Sequence, residues 1–332
     1  MAIRVEPRSA EASLASTRRP IAVYYEHPRW FAPLFAEMDR RGTPYVKMDA
    51  ANHQFDILPD EHRQYGLVFN RMSPSAWTRG NAHGIFYTLS YVAHLERLGV
   101  RVINGSEAFR METSKALQLS LLQDLGLPYP RTRVINHPSQ AALASRGMRF
   151  PVVVKPNIGG SGAGIVRFDS PEQLATAAAE DRINLGLDSV GLVQEYIPAR
   201  DGHITRVETL GHKYLYGINV FTEGQTFDLC PADICRTTDG AELAVSCVVE
   251  GAKAGLRVEG YEPPTEIRDN VERIFAAAQI EVGGLEYVID DRDGQIYYYD
   301  VNALSNFVSD GPRVVGFDPF ARLVDYLEQE AR

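Results

Sequence analysis

Cysteine is scarce in this chain. The three present in 332 residues, Cys230, Cys235 and Cys247, form no C-x-x-C pair, which argues against a disulfide framework and against the common zinc ribbons. Buried, reduced thiols are the simpler reading. No stretch approaches the roughly 18 consecutive apolar residues that a membrane helix needs, and the amino terminus lacks the charged-then-apolar pattern of a secretory signal. A cytoplasmic address is expected. Positive charge is also in deficit, with 34 Lys and Arg against 43 Asp and Glu and a net charge of −9. Binding to nucleic acid depends on phosphate neutralisation by cations, so neither nucleic acid nor membrane is an expected partner. Any anionic ligand has to be met by a local cluster of positive side chains.

What is present is a regular alternation of strand and helix patterns. After a tail at residues 1–19 that mixes Ser, Ala, Arg and Glu without periodicity, residues 20–110 read as strand, helix, strand, strand, helix, strand: "IAVYYE", "WFAPLFAEMDRRG", "PYVKMD", "YGLVFNR", "FYTLSYVAHLERLG" and "VRVING". Strands separated by helices of this length predict βα units and a doubly wound, largely parallel sheet. Residues 111–195 open on "TSKALQLSLLQDLG", a helix that Thr113 or Ser114 can cap and Gly126 can end. A strand-rich stretch follows. Residues 196–332 carry strands in "KYLYGINVF", "GLEYVID" and "QIYYYDVNA", and a last helix entered by Asp318 and Pro319. The predicted fold class is α/β with α+β lobes, three pieces in series without internal repeats.

Two stretches carry chemistry. The first is "VVVKPNIGGSGAGIVRF", residues 152–168, where Lys155 on a strand precedes a loop with Gly159, Gly160, Gly162 and Gly164. A Walker A loop needs a Gly-Lys dipeptide, which the chain lacks; a dinucleotide fingerprint and a hydrolase elbow both need a helix after the loop, and "IVRFD" is a strand. A β-hairpin with a glycine-rich tip remains. Its backbone N–H groups can approach phosphate oxygens with no Cβ in the way; a merely flexible connection is the competing reading.

The second stretch is "GLEYVIDDRDGQIYYYDVNALSNF". A three-residue loop with Gly294 in the left-handed region centres the hairpin on Asp293, sets Glu286 opposite Asp300 and puts Asn302 on the same face. Two like charges facing each other on a sheet are unfavourable unless a cation lies between them, and two carboxylates with an amide oxygen suit Mg2+. The apolar Ile296 and Tyr298 argue against the alternative, a solvated outer face. Arg71, at the end of a strand in "FNRMSPSAW", is a candidate for a substrate carboxylate, with a surface loop arginine equally open. The eight histidines show no metal spacing.

Lys115, Lys155, the glycine loop, "VQEYIP", Arg206 and the trio Glu286, Asp300 and Asn302 occur in an order that resembles the ATP-grasp superfamily over residues 65 to 325, most closely the branch of glutamate-adding ligases and glutathione synthetases. The resemblance implies an N-terminal α/β unit (20–110), a central lobe with the glycine flap (111–195) and a C-terminal lobe with the metal site (196–332), the two lobes clasping ATP. It implies that Lys115 and Lys155 contact the α- and β-phosphates and that the main chain of Gly159, Gly160, Ser161, Gly162 and Gly164 closes over the phosphates. Gln194, Glu195, Tyr196 and Ile197 would form the linker that reads adenine through the backbone of Glu195 and Ile197. Arg206 would orient the transferred phosphoryl and acyl groups. Glu286, Asp300 and Asn302 would hold Mg2+, one ion or two, with Mn2+ as a substitute, and Asp300 bridging.

Three departures stand out. Ser114 precedes the first lysine where Asp is usual, and Ser305 and Asn306 follow the metal motif where Pro-Gly is common, at a position that faces the acceptor substrate in relatives. The segment "CPADICRTTDGAELAVSCVVEG" has no counterpart. The activity implied is carboxylate activation: ATP phosphorylates a substrate carboxylate, ADP leaves, and an amine displaces phosphate from the acyl phosphate. The substrates implied are a small carboxylate and an amine, an amino acid or peptide among them, and relatives are often homo-oligomers. A small-molecule kinase and a nucleotide-binding regulatory module are the competing classes; an intact trio speaks against the second.

Overall fold

The computed structural model describes residues 19–27, 29–58, 64–160, 162–221 and 257–332. Ser161, most of the tail and the segment 230–251 with all three cysteines lie outside the described residues.

The first sheet contains β1 (Ile21–Tyr25), β2 (Tyr45–Asp49), β3 (Leu67–Arg71) and β4 (Val102–Ile103), parallel throughout and ordered β2-β1-β3-β4. Side chains alternate across a strand, and here the two sets enter different cores. Ile21, Val23, Leu67 and Phe69 pack with Leu34, Phe35 and Met38 of helix α1 (Ala32–Arg41). Ala22, Tyr24 and Val68 pack with Ile85, Tyr91 and Leu95 of α2 (Ala82–Arg97). Burial of both faces explains why these strands read as unbroken apolar runs. Gly42, at φ +69°, ends α1.

Two further helices lead to the next sheet. The sequence pattern does not flag α3 (Ser106–Glu112); α4 (Lys115–Asp124) starts where expected, with the Ser114 hydroxyl accepting from the Leu117 amide at 3.3 Å. The second sheet is antiparallel, β5 (Thr132–Ile135), β6 (Val152–Pro156), β7 (Val166–Phe168) and β8 (Gly191–Glu195), in the order β5-β8-β6-β7. The glycine loop is the turn between β6 and β7.

The third sheet, also antiparallel, is ordered β11-β10-β9-β12-β13 from β9 (His203–Leu210), β10 (Lys213–Phe221), β11 (Arg257–Tyr261), β12 (Val282–Ile289) and β13 (Ile296–Asn302). Helix Thr265–Ala277 covers one face through Ile267, Val271, Ile274 and Phe275, which pack with Leu285, Tyr287, Tyr298 and Val301.

The pieces are in series in sequence but not in packing. Leu323, Val324 and Leu327 of the helix Pro319–Glu330 share one core with Ile21, Leu34 and Phe69 of the first sheet and with Ile218 and Val220 of the third. Burying these three side chains contributes on the order of 5 kcal/mol. Ion pairs from Arg41 to Asp325 at 2.5 Å and from Arg101 to Glu330 at 2.6 Å flank the contact. Among the described residues, no helix is long and apolar enough to cross a membrane.

Candidate active site

The third sheet lines up its charges in rows. Arg206 on β9 pairs with Glu286 on β12, which pairs with Asp300 on β13; one step along, Glu208, Gly284 and Asn302 make a second row. Side chains two apart on a strand share a face, so Arg206, Glu208, Glu286, Asp300 and Asn302 all project to the side away from helix Thr265–Ala277.

The expected pairing of Glu286 with Asp300 is present, but by another route. The turn holds four residues between Asp290 and Gln295, closed by the Gly294 amide donating to the Asp290 carbonyl at 2.8 Å, so Ile289 pairs with Ile296 and Tyr287 with Tyr298. A bulge at Tyr299 then restores the register. In consequence Tyr298 and Ile296 face the helix core, not the carboxylates, contrary to the expectation that they shield the pair. Tyr299 takes that part, its hydroxyl donating to Glu286 Oε2 at 2.9 Å.

Arg206 is 7% exposed, and its guanidinium is clamped from two sides: Nε donates to Glu208 Oε1 at 2.6 Å and Nη1 to Glu286 Oε1 at 2.9 Å. Burial opposes its charge, but Glu208 and Glu286 outweigh that and hold it protonated. Gly284 makes room for this arrangement, because a Cβ there would lie 2.6 Å from Arg206 Nη2 and 2.7 Å from Glu208 Oε2. The Glu286 carboxyl is raised above its ordinary range by burial, against the pull of Arg206, and the nearby Asp300 adds to the rise.

Asp300 is where the lysines meet. Lys115 Nζ contacts Asp300 Oδ1, and Asn302 Nδ2 donates to Oδ2 at 2.9 Å. Burial raises the Asp300 carboxyl, yet Lys115 and, through space, Lys155 bring it below its ordinary value. Lys115 reaches this point from the first turn of α4, running past Gly159, and its amide donates to the Asn157 carbonyl at 3.3 Å. Asn157 ties the helix to the glycine loop: its Oδ1 accepts from the Ala116 amide at 2.9 Å and from Ser114 Oγ at 3.2 Å. Ser114, where a carboxylate is usual, thus serves as cap and anchor.

In the loop, Gly162 and Gly164 have φ of +68° and +79°, a backbone that favours glycine. Gly160 sits against the first unit, where an added Cβ would be 2.8 Å from the Ser75 Cβ. At the other end of β8, the Gln194 side-chain Nε2 donates to Thr132 Oγ1 at 2.8 Å, and Arg167 from the loop's return strand stacks 4.8 Å over the Tyr196 ring. The Glu195 amide donates to the Arg131 carbonyl and that of Tyr196 to the Pro151 carbonyl, at 2.9 and 3.0 Å. A base edge meeting Glu195 therefore meets its carbonyl.

Arg71 is corrected by the structure. It is 2% exposed, inside the molecule, with Phe31 and Phe69 at 5.3 and 5.0 Å from the guanidinium, and it donates to the carbonyls of Ala303 and Ser305. Burial brings it down to about 9, with Glu112 and Glu208 opposing. It braces the loop after β13 and offers no open face to a substrate carboxylate. Two residues that the sequence reading passed over complete the brace. Asn104 donates to the carbonyls of Val282 and Ala303 at 2.7 and 2.6 Å, and Glu112 accepts from the Ala303 amide. Glu112 is pushed up to about 7 by burial, with Asp300 adding and Lys115 and Arg71 opposing. Ser305 and Asn306 are 2% and 5% exposed on this braced loop.

The residues present fit Mg2+. Among the described residues no three His, Cys, Asp or Glu converge, but Glu286 and Asp300 are opposed with the Asn302 amide beside them, and a lysine ammonium already rests on Asp300. A buried carboxylate and a part-buried one opposed to it, with an amide beside them, form a hard oxygen set.

No family model matches the chain. Its fold is similar to that of the ATP-grasp ligase PsnB complexed with minimal precursor, which superposes with a TM-score of 0.65 at 20% identity, covering 94% of this chain and 99% of that one. In sequence it is similar to a D-alanine–D-alanine ligase of Pseudomonas putida strain GB-1, 28% identical over 209 residues, which are 63% of this chain and 60% of the relative. It is also similar to a probable alpha-L-glutamate ligase 1 of Shewanella sp. strain W3-18-1, 33% identical over 203 residues, 58% of this chain and 64% of the relative. The matches span about 60% of the length of such curated relatives.

Proposed function

We propose that the chain is an ATP-dependent carboxylate-amine ligase, forming an amide or peptide bond with release of ADP and phosphate by way of an acyl phosphate. The observation that supports this most directly is the row Arg206–Glu286–Asp300 across three strands, with two lysines of the second lobe at its end. Phosphoryl transfer needs positioning and charge neutralisation more than a protein nucleophile, and in this reading the lysines, Arg206 and a cation held by the carboxylates provide them. The curated relatives named above are both ligases.

In this reading residues 20–110 form the substrate-facing α/β unit, 111–195 the lobe with the flap and 196–332 the lobe with the metal site. Lys115 and Lys155 bind the phosphates and the loop from Gly159 to Gly164 covers them, excluding water from the acyl phosphate. Gln194, Glu195, Tyr196 and Ile197 receive the base. Glu286, Asp300 and Asn302 hold Mg2+, or Mn2+ in its place, which neutralises charge on the transferring phosphoryl group. Arg206, fixed by Glu208 and Glu286, presents its remaining nitrogen to the acyl oxygen and stabilises the oxyanion that forms when the amine adds. The substrates are a small carboxylate and an amine, of the amino acid or peptide kind.

The test is ATP turnover with Mg2+ against pooled amino acids and short peptides in the presence of hydroxylamine, with nucleotide and hydroxamate read together by mass spectrometry. ADP with a hydroxamate supports the proposal and identifies the carboxylate. AMP overturns it, ADP with a phosphorylated alcohol replaces it with a kinase, and tight nucleotide binding without turnover replaces it with a regulatory module.

A further inference from the structure

Between Asp124 and Asp169 the chain has no Asp or Glu, although it carries Arg131, Arg133, Arg146, Arg149, Lys155 and Arg167. In a chain of net charge −9 this is a local reversal of sign. Lys155 and Arg167 belong to the site described above, and Arg149 pairs with the buried Asp290 at 3.4 Å. Arg131, Arg133 and Arg146 are left, half-buried or exposed, and none of them forms an ion pair with a described carboxylate. They gather at one turn. Arg131 Nη1 donates to the Gly147 carbonyl at 2.5 Å, and Arg133 Nη1 to the carbonyls of Ala144 and Arg146, just past the short helix Ala141–Ala144. Carbonyls at a helix C-terminus orient an arginine without cancelling its charge, and each guanidinium keeps further N–H donors.

Arg131 and Arg133 also flank the open edge of the second sheet. β5 is its last strand and pairs only with β8 among the described residues. The Arg131 carbonyl accepts from the Glu195 amide at 2.9 Å. By the alternation of an antiparallel ladder, the main chain of Arg133 and Ile135 then faces β8 as well, and Thr132 and Val134 turn their amides and carbonyls outward. Side chains alternate too. Arg131 and Arg133 lie on the face of Ile135, which packs with Ala141 and Ala144; Thr132 and Val134 lie on the other, where a groove of about 270 Å3 runs between β5 and α4. Val134 is 53% exposed there, and Leu119, Ser120, Asp124 and Tyr129 line the rest.

We propose that the edge of β5 is a docking site for an extended acidic segment of a polypeptide partner. The segment adds as a strand, with Asp or Glu at alternate positions over Arg131, Arg133 and Arg146 and apolar residues between them in the groove against Val134. The inference goes beyond the ligase reading and stands without it. A strand edge offers donors and acceptors that another backbone satisfies in register, which selects a polypeptide over a nucleic acid. The arginines at residues 131 and 133 are already oriented before the partner arrives, so less freedom is lost on binding. Asp124 sets the polarity of the docking, because it repels a carboxylate from the groove and leaves the arginine face to it.

The probe is a fluorescein-labelled heptapeptide, Glu-Val-Glu-Val-Glu-Val-Glu, titrated with the full chain in about 50 mM salt and read by fluorescence anisotropy. The comparisons are Lys-Val-Lys-Val-Lys-Val-Lys and an oligouridine RNA. Saturable binding of the acidic peptide alone is expected, weakened in about 300 mM salt. Arg131→Gln combined with Arg146→Gln is expected to raise its Kd about 10-fold. Val134→Pro deletes one outward amide and no bond to β8, and is expected to raise Kd about 5-fold with the melting curve unchanged. A Kd that the arginine changes move and that Val134→Pro, in folded protein, does not move overturns strand addition and leaves a simple charged patch. A Kd that no variant moves puts the peptide elsewhere and overturns the site. Equal binding of the lysine peptide, tighter binding of the RNA, or no binding of the acidic peptide at about 1 mM overturns the proposal as well. None of these readouts involves ATP turnover, so failure here and failure of the ligase reading are told apart.

Discussion

Lys115 and Asp300 are partners 185 residues apart in the chain, the ammonium at the start of α4 resting on the carboxylate near the end of β13. The lysine sets a cation against a carboxylate whose ionisation burial opposes, and it outweighs that burial. Removing Asp300 leaves Lys115 without its anion and, in the proposed reading, takes a ligand from Mg2+. Asp300→Ala is expected to lower Mg2+-dependent ATP turnover by more than about 100-fold. Turnover near the wild-type level, measured by ADP release, would refute the metal assignment.

Lys155 reaches the same carboxylate through space from the base of the glycine loop. Its proposed role is to bind phosphate oxygens, so Lys155→Ala is expected to weaken ATP binding about 10- to 100-fold with the fold intact. Titration calorimetry of the nucleotide checks this, and an unchanged Kd would count against the role.

Glu112 supplies a stability signature. Its carboxyl titrates near 7 in the folded chain because burial disfavours the anion, whereas in the unfolded chain it titrates in the ordinary carboxylate range. The folded state therefore holds the proton more tightly. Between those two values each rise in pH reduces stability, and above about 7 the loss is complete, on the order of 3 kcal/mol. Glu112→Gln keeps an acceptor for the Ala303 amide and does not titrate. The melting temperature of wild type is expected to fall relative to this variant from pH 5 to pH 7 and then run parallel to it; curves parallel throughout would show that Glu112 does not titrate there.

Gly284 tests the row from the inside. Gly284→Ala puts a Cβ within 2.6 to 2.8 Å of Arg206 Nη2 and both Glu208 oxygens. The guanidinium has to move or the strands have to part. A loss of about 1–3 kcal/mol in stability is expected, together with a fall in kcat larger than any change in nucleotide affinity. Denaturant unfolding and steady-state kinetics measure the two effects separately.

Much of this was legible in the letters, and the exceptions have physical causes. Strand and helix periodicity located β1 to β4, α1, α2 and the final helix, because each buries one face or two in a regular repeat. Strand β9 was not read as a strand: "HITRVETL" carries Arg206 and Glu208 on one face, which looks like a wet face and is in fact buried. Local pattern cannot distinguish a solvated charge from one neutralised across strands. Arg71 was read from its place at a strand end, and only the fold shows the loop of residues 303–305 that fills the space beyond it. The pairing of Glu286 with Asp300 was reached with the wrong turn length, since a longer loop and the Tyr299 bulge compensate each other. The roles of Asn104 and Glu112 depend on contacts with residues about 180 to 200 positions away, which no local reading contains.

The helix Pro319–Glu330 completes a core begun at Ile21. During synthesis the α1 side of the first sheet emerges early, and the side chains that close it are made almost 300 residues later. Until then that face is sticky and incomplete, open to capture by a chaperone or by another nascent chain. Order of manufacture and order of assembly run against each other, and the face can lock only once Leu323, Val324 and Leu327 have been made.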